Sequence, residues 1–205
     1  VALSEPHERV LSEMMQDWCL GRDLLVLGPK GAGKSKLVIE LCNRLGWDSQ
    51  SVTVFPLFRD VSARDLLQTR DTTAEGDTAW VDSPLVAAAK SGTPIVLDNL
   101  HAARADVLLG SLTRLLVDRE IELPDGTLLK AAERMAEIAS SSESDGCLVS
   151  RPEVIEIPPG FRVMALGTTS EKRNPLSPEV ASLFSLHQLD TLTHVQMGEV
   201  AAVMY

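Results

Sequence analysis

Gly28-Pro29-Lys30-Gly31-Ala32-Gly33-Lys34-Ser35 is a complete G-x-x-x-x-G-K-[ST] phosphate-binding loop, directly after the apolar run Leu24-Leu25-Val26-Leu27. A strand feeds the loop and a helical pattern leaves it, which is the context the motif requires. Its glycines let successive backbone N–H groups point at phosphate oxygens, and the helix N-terminus adds partial positive charge. Lys34 can then reach the β/γ-phosphates, and the Ser35 hydroxyl is placed to ligate Mg²⁺. Four such fixed positions coincide by chance in about one chain of this size in 100. The expected ligand is Mg·ATP, with Gly28, Pro29, Lys30, Gly31, Ala32, Gly33, Lys34, Ser35 and Lys36 around its phosphates.

Outward from the loop, helical and strand patterns alternate. Residues 5–19 carry Val10, Leu11, Met14, Met15 and Trp18 at helical spacing. The loop opens a helix over about 33–45, with Leu37, Val38, Leu41 and Leu45 on one face and Gly46 at its end. Residues 51–57 read as a short strand and 59–82 as a polar, irregular loop. Ser83-Pro84 caps a helix ended by Gly92, Pro94–Leu97 is a buried strand, and 103–118 is a helix. From Ile121 the period switches to two, and Pro124-Asp125-Gly126 marks a hairpin turn. The run Ser140–Gly146 has nothing to bury. Strands follow at 154–157, 161–166 and 185–189, and a helix begins at 193. Strands joined by helical crossovers predict an α/β fold with a parallel sheet covered on both faces.

The totals narrow the function classes. With 205 residues, 44% hydrophobic and 23% charged, the chain can build a substantial core. A net charge of −10 argues against sequence-independent binding to nucleic acid or anionic membrane, which needs a basic face. No apolar run is long enough for a membrane span. Cys19, Cys42 and Cys147 show no Cys-x-x-Cys spacing and fit an intracellular, reducing compartment. The chain opens on Val with no signal-peptide layout, so it is expected to be a piece of something longer.

A phosphate loop needs an acidic partner for Mg²⁺ at the end of a neighbouring buried strand. Ile95-Val96-Leu97-Asp98 supplies one, because ligands of open α/β sheets bind at the carboxyl ends of the strands. The alternative for Asp98 is a cap on the helix that follows. The next residue is Asn99. An amide can hold a water but has no lone pair basic enough to deprotonate it, and a positioned base is worth about 10² to 10⁴ in rate.

Five strings together carry a family likeness: Gly28–Ser35, Asp82-Ser83-Pro84-Leu85-Val86, Ile95–Asn99, Asp118–Gly126, and Phe161–Leu166. In that order they resemble an AAA+ ATPase of the MoxR/midasin-like group, which carries a helix-two insertion. Asp82–Val86 and Leu183-Phe184-Ser185-Leu186-His187 are similar to strings in a large, mitochondrial, multi-module member of that group. The resemblance implies a P-loop NTPase large subdomain over 1–192, with a five-stranded parallel sheet. A hairpin insertion at about 119–157 would project from it, and a helical lid would start at 193–205. It implies sister modules in cis or a ring oligomer, a protein client, and Thr168 as the residue sensing the γ-phosphate. Relatives carry Glu where Asn99 stands, and an arginine finger where Ser182-Leu183-Phe184 stands. Such a finger is worth about 10³ to 10⁵. Arg173, just upstream, is the candidate substitute, or else a solvated loop charge.

Lys34, Asp98, Asn99 and Thr168 are thus the candidate catalytic residues, and Ser35 and Asp98 the candidate metal ligands. A nucleotide-holding module with weak hydrolysis leads. A fully active motor module, a small P-loop kinase and an interaction domain with a vestigial loop are the alternatives. Lys30 could touch phosphate or face solvent. His101 could join the metal site or start a helix, and His187 and His194 lack zinc spacing. Trp47 and Trp80 could anchor a partner or pack. Arg104 and Arg119 could lie near a subunit interface or be solvated helix charges.

Overall fold

The computed structural model describes residues 4–48, 52–72, 76–132, 153–169 and 176–190. Helix α1 spans Glu5–Cys19 and α2 Lys34–Arg44. Strands β1 Leu24–Gly28, β2 Thr53–Pro56 and β5 Ile95–Asp98 join two strands that come late in the chain, β9 Val163–Thr168 and β10 Ser185–Gln188. They form one five-stranded sheet in the order β10-β1-β9-β5-β2, every pairing parallel.

Successive residues of the central strands serve opposite faces, as a two-residue period demands. Leu25, Leu27, Ile95, Leu97, Val163 and Ala165 enter the larger core. There they meet Leu85, Val86 and Ala89 of α4 (Pro84–Ser91) and Leu108 and Leu112 of α5 (Ala105–Thr113). Leu24, Val26, Val96, Met164 and Leu166 face the other way, onto Leu11 and Met14 of α1 and Leu37, Val38 and Leu41 of α2. Burial on both faces explains why these strands read as continuous apolar runs. Each fully buried leucine contributes about 1.5–3 kcal/mol. Helix α4 starts as its sequence predicts: the Ser83 Oγ accepts the Val86 N–H at 3.2 Å and donates to the Leu66 carbonyl at 2.6 Å.

Residues 59–82 correct the sequence expectation of an irregular loop. They hold the short helix α3, Ala63–Leu66, and the antiparallel hairpin of β3 Gln68–Thr72 and β4 Thr78–Asp82. Polar strands show no hydrophobic alternation, so their pairing was hidden. What holds them is tertiary. The Arg70 guanidinium lies 4.5 Å from the centre of the Trp80 ring, directly across the ladder. Gln68, fully buried, donates from Nε2 to Asp82 and to Asp125 at 2.8 Å each, and its Oε1 accepts the Asp125 N–H at 3.1 Å. Lys90 Nζ pairs with Asp82 at 2.6 Å. This hairpin is thereby fastened to the turn of the next one.

The helix expected over 103–118 is divided. A 3₁₀ turn, Leu100–Ala102, precedes α5, and a π-turn, Arg114–Asp118, follows it. Where a projecting hairpin is expected, the described residues form a separate three-stranded sheet: β6 Glu120–Glu122 pairs antiparallel with β7 Leu128–Ala131, which pairs parallel with β8 Val154–Ile157. The last described helix is α6, Pro178–Ala181. The polar run 140–146, Cys147, Arg173, His194 and the lid expected at 193–205 lie outside the described residues.

Candidate functional site

The phosphate loop leaves β1 at the carboxyl edge of the sheet. Gly31 and Gly33 both take φ +85°, in the left-handed region, and Gly33 hands the chain to α2 with no side-chain cap. The first amides of α2 are therefore free to serve an anion. Lys34 folds back over the loop, donating from Nζ to the carbonyls of Gly28 and Pro29 at 2.8 Å each. Burial holds its pKa below the usual lysine value, and the charge of Asp98 opposes that shift. Lys30 and Ser35 are exposed, Pro29 and Lys36 half-buried, and Ala32 buried.

Sequence reasoning missed His7. From α1, its Nε2 donates to the Ala32 carbonyl at 2.8 Å, while the Ser4 hydroxyl bonds its Nδ1 at 2.7 Å. A Cβ built on Gly33 would stand 3.0 Å from His7 Nε2, whereas one on Gly31 meets nothing within 4 Å. Gly31→Ala is expected to cost about 1–2 kcal/mol through its positive φ alone. Gly33→Ala should cost more, by also displacing His7. Urea unfolding of the two variants measures the difference. His7 carries no motif, so only its fixed place beside the loop could reveal it.

Asp98 and Thr168 end neighbouring strands. Thr168 lies abreast of Gly28 in the sheet register, and the Thr169 N–H donates to the Gly28 carbonyl at 3.2 Å. Ser35 and Asp98 border one small cavity, of about 100 Å³, beside α2, whose other walls are mainly apolar, among them Val38, Val54, Val96 and Leu166. A hydroxyl and a carboxylate are oxygen donors of the kind Mg²⁺ takes. Asp98 caps neither the 3₁₀ turn nor α5; its Oδ1 accepts the N–H of Asn99 at 2.9 Å. Asn99 is exposed and sits at φ 59°, ψ 40°. That left-handed conformation is one asparagine tolerates better than most residues, so Asn99 has a backbone reason to be there. His101 is drawn into the same row: its Nδ1 accepts the Thr168 N–H at 3.1 Å. Among the described residues, no cluster of three or more His, Cys, Asp or Glu could hold a metal ion.

Against protein-family models, residues 23–184 match the AAA domain of the dynein-related subfamily. The chain belongs to the AAA ATPases. Its relatives include von Willebrand factor A domain-containing protein 8 of Mus musculus, 34% identical over 91% of this chain and 10% of that protein. NorQ of Paracoccus denitrificans is 37% identical over 53% of this chain and 42% of its own. The chain thus spans a tenth to under half of these relatives. Midasin also matches, so this AAA domain stands in the expected group. A candidate ATPase structure from Cytophaga hutchinsonii shares the fold, with TM-score 0.56 and 16% identity, over 95% of this chain and 49% of that one.

Other sequence candidates of this AAA domain fall elsewhere. Leu183 is half-buried against the larger core. Arg119 is no fully solvated charge: partly buried, it pairs with the buried Asp23, Nη2 to Oδ2 at 2.8 Å. Arg104 is exposed and bidentate on Asp106. His187 is buried on β10 with its ring 3.1 Å from Asp17, away from the loop. Trp47 packs partly buried against the smaller core, and Trp80 lies in the hairpin. Among the described residues, no helix is long and apolar enough to cross a membrane.

Proposed function

We propose that this AAA domain binds Mg·ATP at the loop and turns it over slowly, as a nucleotide-holding module of a larger multi-module ATPase or ring acting on a protein client. One arrangement carries the reading. Lys34, Ser35 and Asp98 converge at the carboxyl edge of the sheet, while the position after Asp98 carries an exposed amide. In the proposed complex the loop amides and Lys34 hold the phosphates, Thr168 stands at the sensing position, and Ser35 and Asp98 hold Mg²⁺. The metal would neutralise phosphate charge. A groove of about 530 Å³ bordered by Glu5, His7, Val10, Gln188, Leu189 and Asp190 has room for a nucleoside. Neither Asn99 nor Leu183 supplies what rapid hydrolysis uses, a base beside the water and a guanidinium for a neighbour's nucleotide.

Calorimetry with Mg·ADP and a non-hydrolysable triphosphate is expected to give micromolar-range binding, and a phosphate-release assay to give turnover far below the ~10 s⁻¹ of a typical enzyme. Asn99→Glu should raise turnover on the order of 10²-fold, the low end of what a positioned base supplies. The same change should lower stability by about 1–2 kcal/mol, because φ 59° suits glutamate poorly. Wild-type turnover near the typical value, with no gain in the variant, would overturn the slow-module reading.

A further inference from the structure

The sequence leaves His101 undecided between a metal ligand and an ordinary helix-start residue, and the structure gives it a third role. We propose that His101 is a further contact, beside Thr168, that tells a nucleoside triphosphate from a diphosphate: its Nε2–H donates to the terminal phosphate, and its Nδ1 ties that event to the Thr168 strand end. This rests on the nucleotide-binding reading of the loop.

The geometry begins with the hydrogen bond. A backbone N–H can only donate, so the Nδ1 that receives Thr168 N–H at 3.1 Å carries no proton. In the neutral ring the proton then sits on Nε2, which makes that atom a donor and unfit to act as a base. The ring's place is equally fixed. Leu100, its neighbour in the 3₁₀ turn, is fully buried and anchors the turn. Thr168 lies level with Gly28, and Gly28's carbonyl receives both Thr169 N–H and Lys34 Nζ. His101, Thr168, Gly28 and Lys34 therefore form one continuous row across β5, β9 and β1. Electrostatics agree: burial first, then the Lys34 charge, lower the His101 pKa, against the pull of Asp98. A neutral imidazole with a single outward donor suits a phosphate oxygen at the far end of the row from the loop amides.

The expected effect is selective. A donor on a charged phosphate typically changes affinity by roughly ten- to a hundredfold. In His101→Ala, affinity for the non-hydrolysable Mg-triphosphate should fall at least about tenfold, while Mg·ADP affinity stays within about twofold. His101→Gln, whose amide reaches the Nε2 position, should recover part of the triphosphate preference. His101→Asn reaches only Nδ1 and should not. Long-range ¹H–¹⁵N spectra of the wild-type ring should show the Nε2–H tautomer. Calorimetry on the whole chain separates the failures. Wild-type protein that binds neither nucleotide overturns the loop reading and this proposal with it. Wild-type protein that binds both, with His101→Ala keeping the wild-type triphosphate-to-diphosphate ratio, overturns this proposal alone.

Discussion

Lys34→Ala is expected to abolish the thermal stabilisation that excess Mg·ATP gives the wild-type chain. A ligand at a hundred times its Kd raises unfolding free energy by about 2.7 kcal/mol. For a domain of this size that is a rise in Tm of about 5–10 °C. Lys34 is the ammonium of the loop, and its reach is visible in the two carbonyls, Gly28 and Pro29, that it holds at 2.8 Å. Without it the loop amides alone face the phosphates, and affinity should fall roughly a hundredfold or more. The unliganded variant should melt close to wild type, because the Gly28 carbonyl keeps the Thr169 N–H as a partner and Pro29 is only half-buried. Differential scanning fluorimetry with and without Mg·ATP reads both quantities. A variant that melts at the wild-type temperature in excess Mg·ATP would show that nothing is held through Lys34, and a vestigial loop predicts in addition that Mg·ATP shifts neither protein.

Arg119→Ala is expected to be the most destabilising of the single substitutions considered, at about 3–5 kcal/mol, the usual cost of leaving one partner of a buried ion pair. That is a large part of the ~5–15 kcal/mol a folded domain has. Asp23 is 6% exposed and is held by Arg119 at 2.8 Å and by the Val163 N–H at 2.8 Å. The Arg119 guanidinium also lies 5.6 Å from the centre of the Phe161 ring. Its backbone, at φ 49°, sits in the left-handed region, a strained position that packing must justify. Burial raises the Asp23 pKa, and Arg119 is the leading influence pulling it back. An acid raised on folding binds its proton more tightly in the native state, so this group's contribution to stability falls as pH rises from the unfolded value through the folded one. Removing Arg119 raises the folded pKa further. The deficit of the variant should therefore widen as pH rises above about 4, the carboxylate's unfolded value. Urea titrations across that range measure it. Replacing both partners, Asp23→Asn with Arg119→Met, should recover much of the loss; a double variant as unstable as Arg119→Ala would show that the charge is not the cause.

Much of the molecule is legible in the chain because it depends on local rules. The loop needs glycines at positive φ and a lysine at a fixed step, so its residues can be read in order. The central strands are buried on both faces, so they appear as apolar runs. Ser83 and Gly92 mark the ends of α4 through backbone hydrogen bonding that any four residues can make. Asp98 follows from strand-end logic alone.

What the chain does not show is whatever depends on a partner far away in sequence. The polar hairpin β3–β4 has no buried stripe and exists through Gln68, which bridges to Asp125 57 residues on. Arg119 is indistinguishable from a surface charge until Asp23 meets it. Asn99 reads as a missing base in sequence, and the fold adds that its backbone is left-handed. His7 and His101 carry no motif, yet one holds the loop carbonyl of Ala32 and the other the N–H of Thr168. Sequence determined the phosphate-loop motif, the strand-end carboxylate of Asp98 and the parallel sheet, because spacing and burial are written along the chain. Only tertiary structure decided which polar side chains brace that loop, because a hydrogen bond is set by distance in space and leaves no period in the sequence.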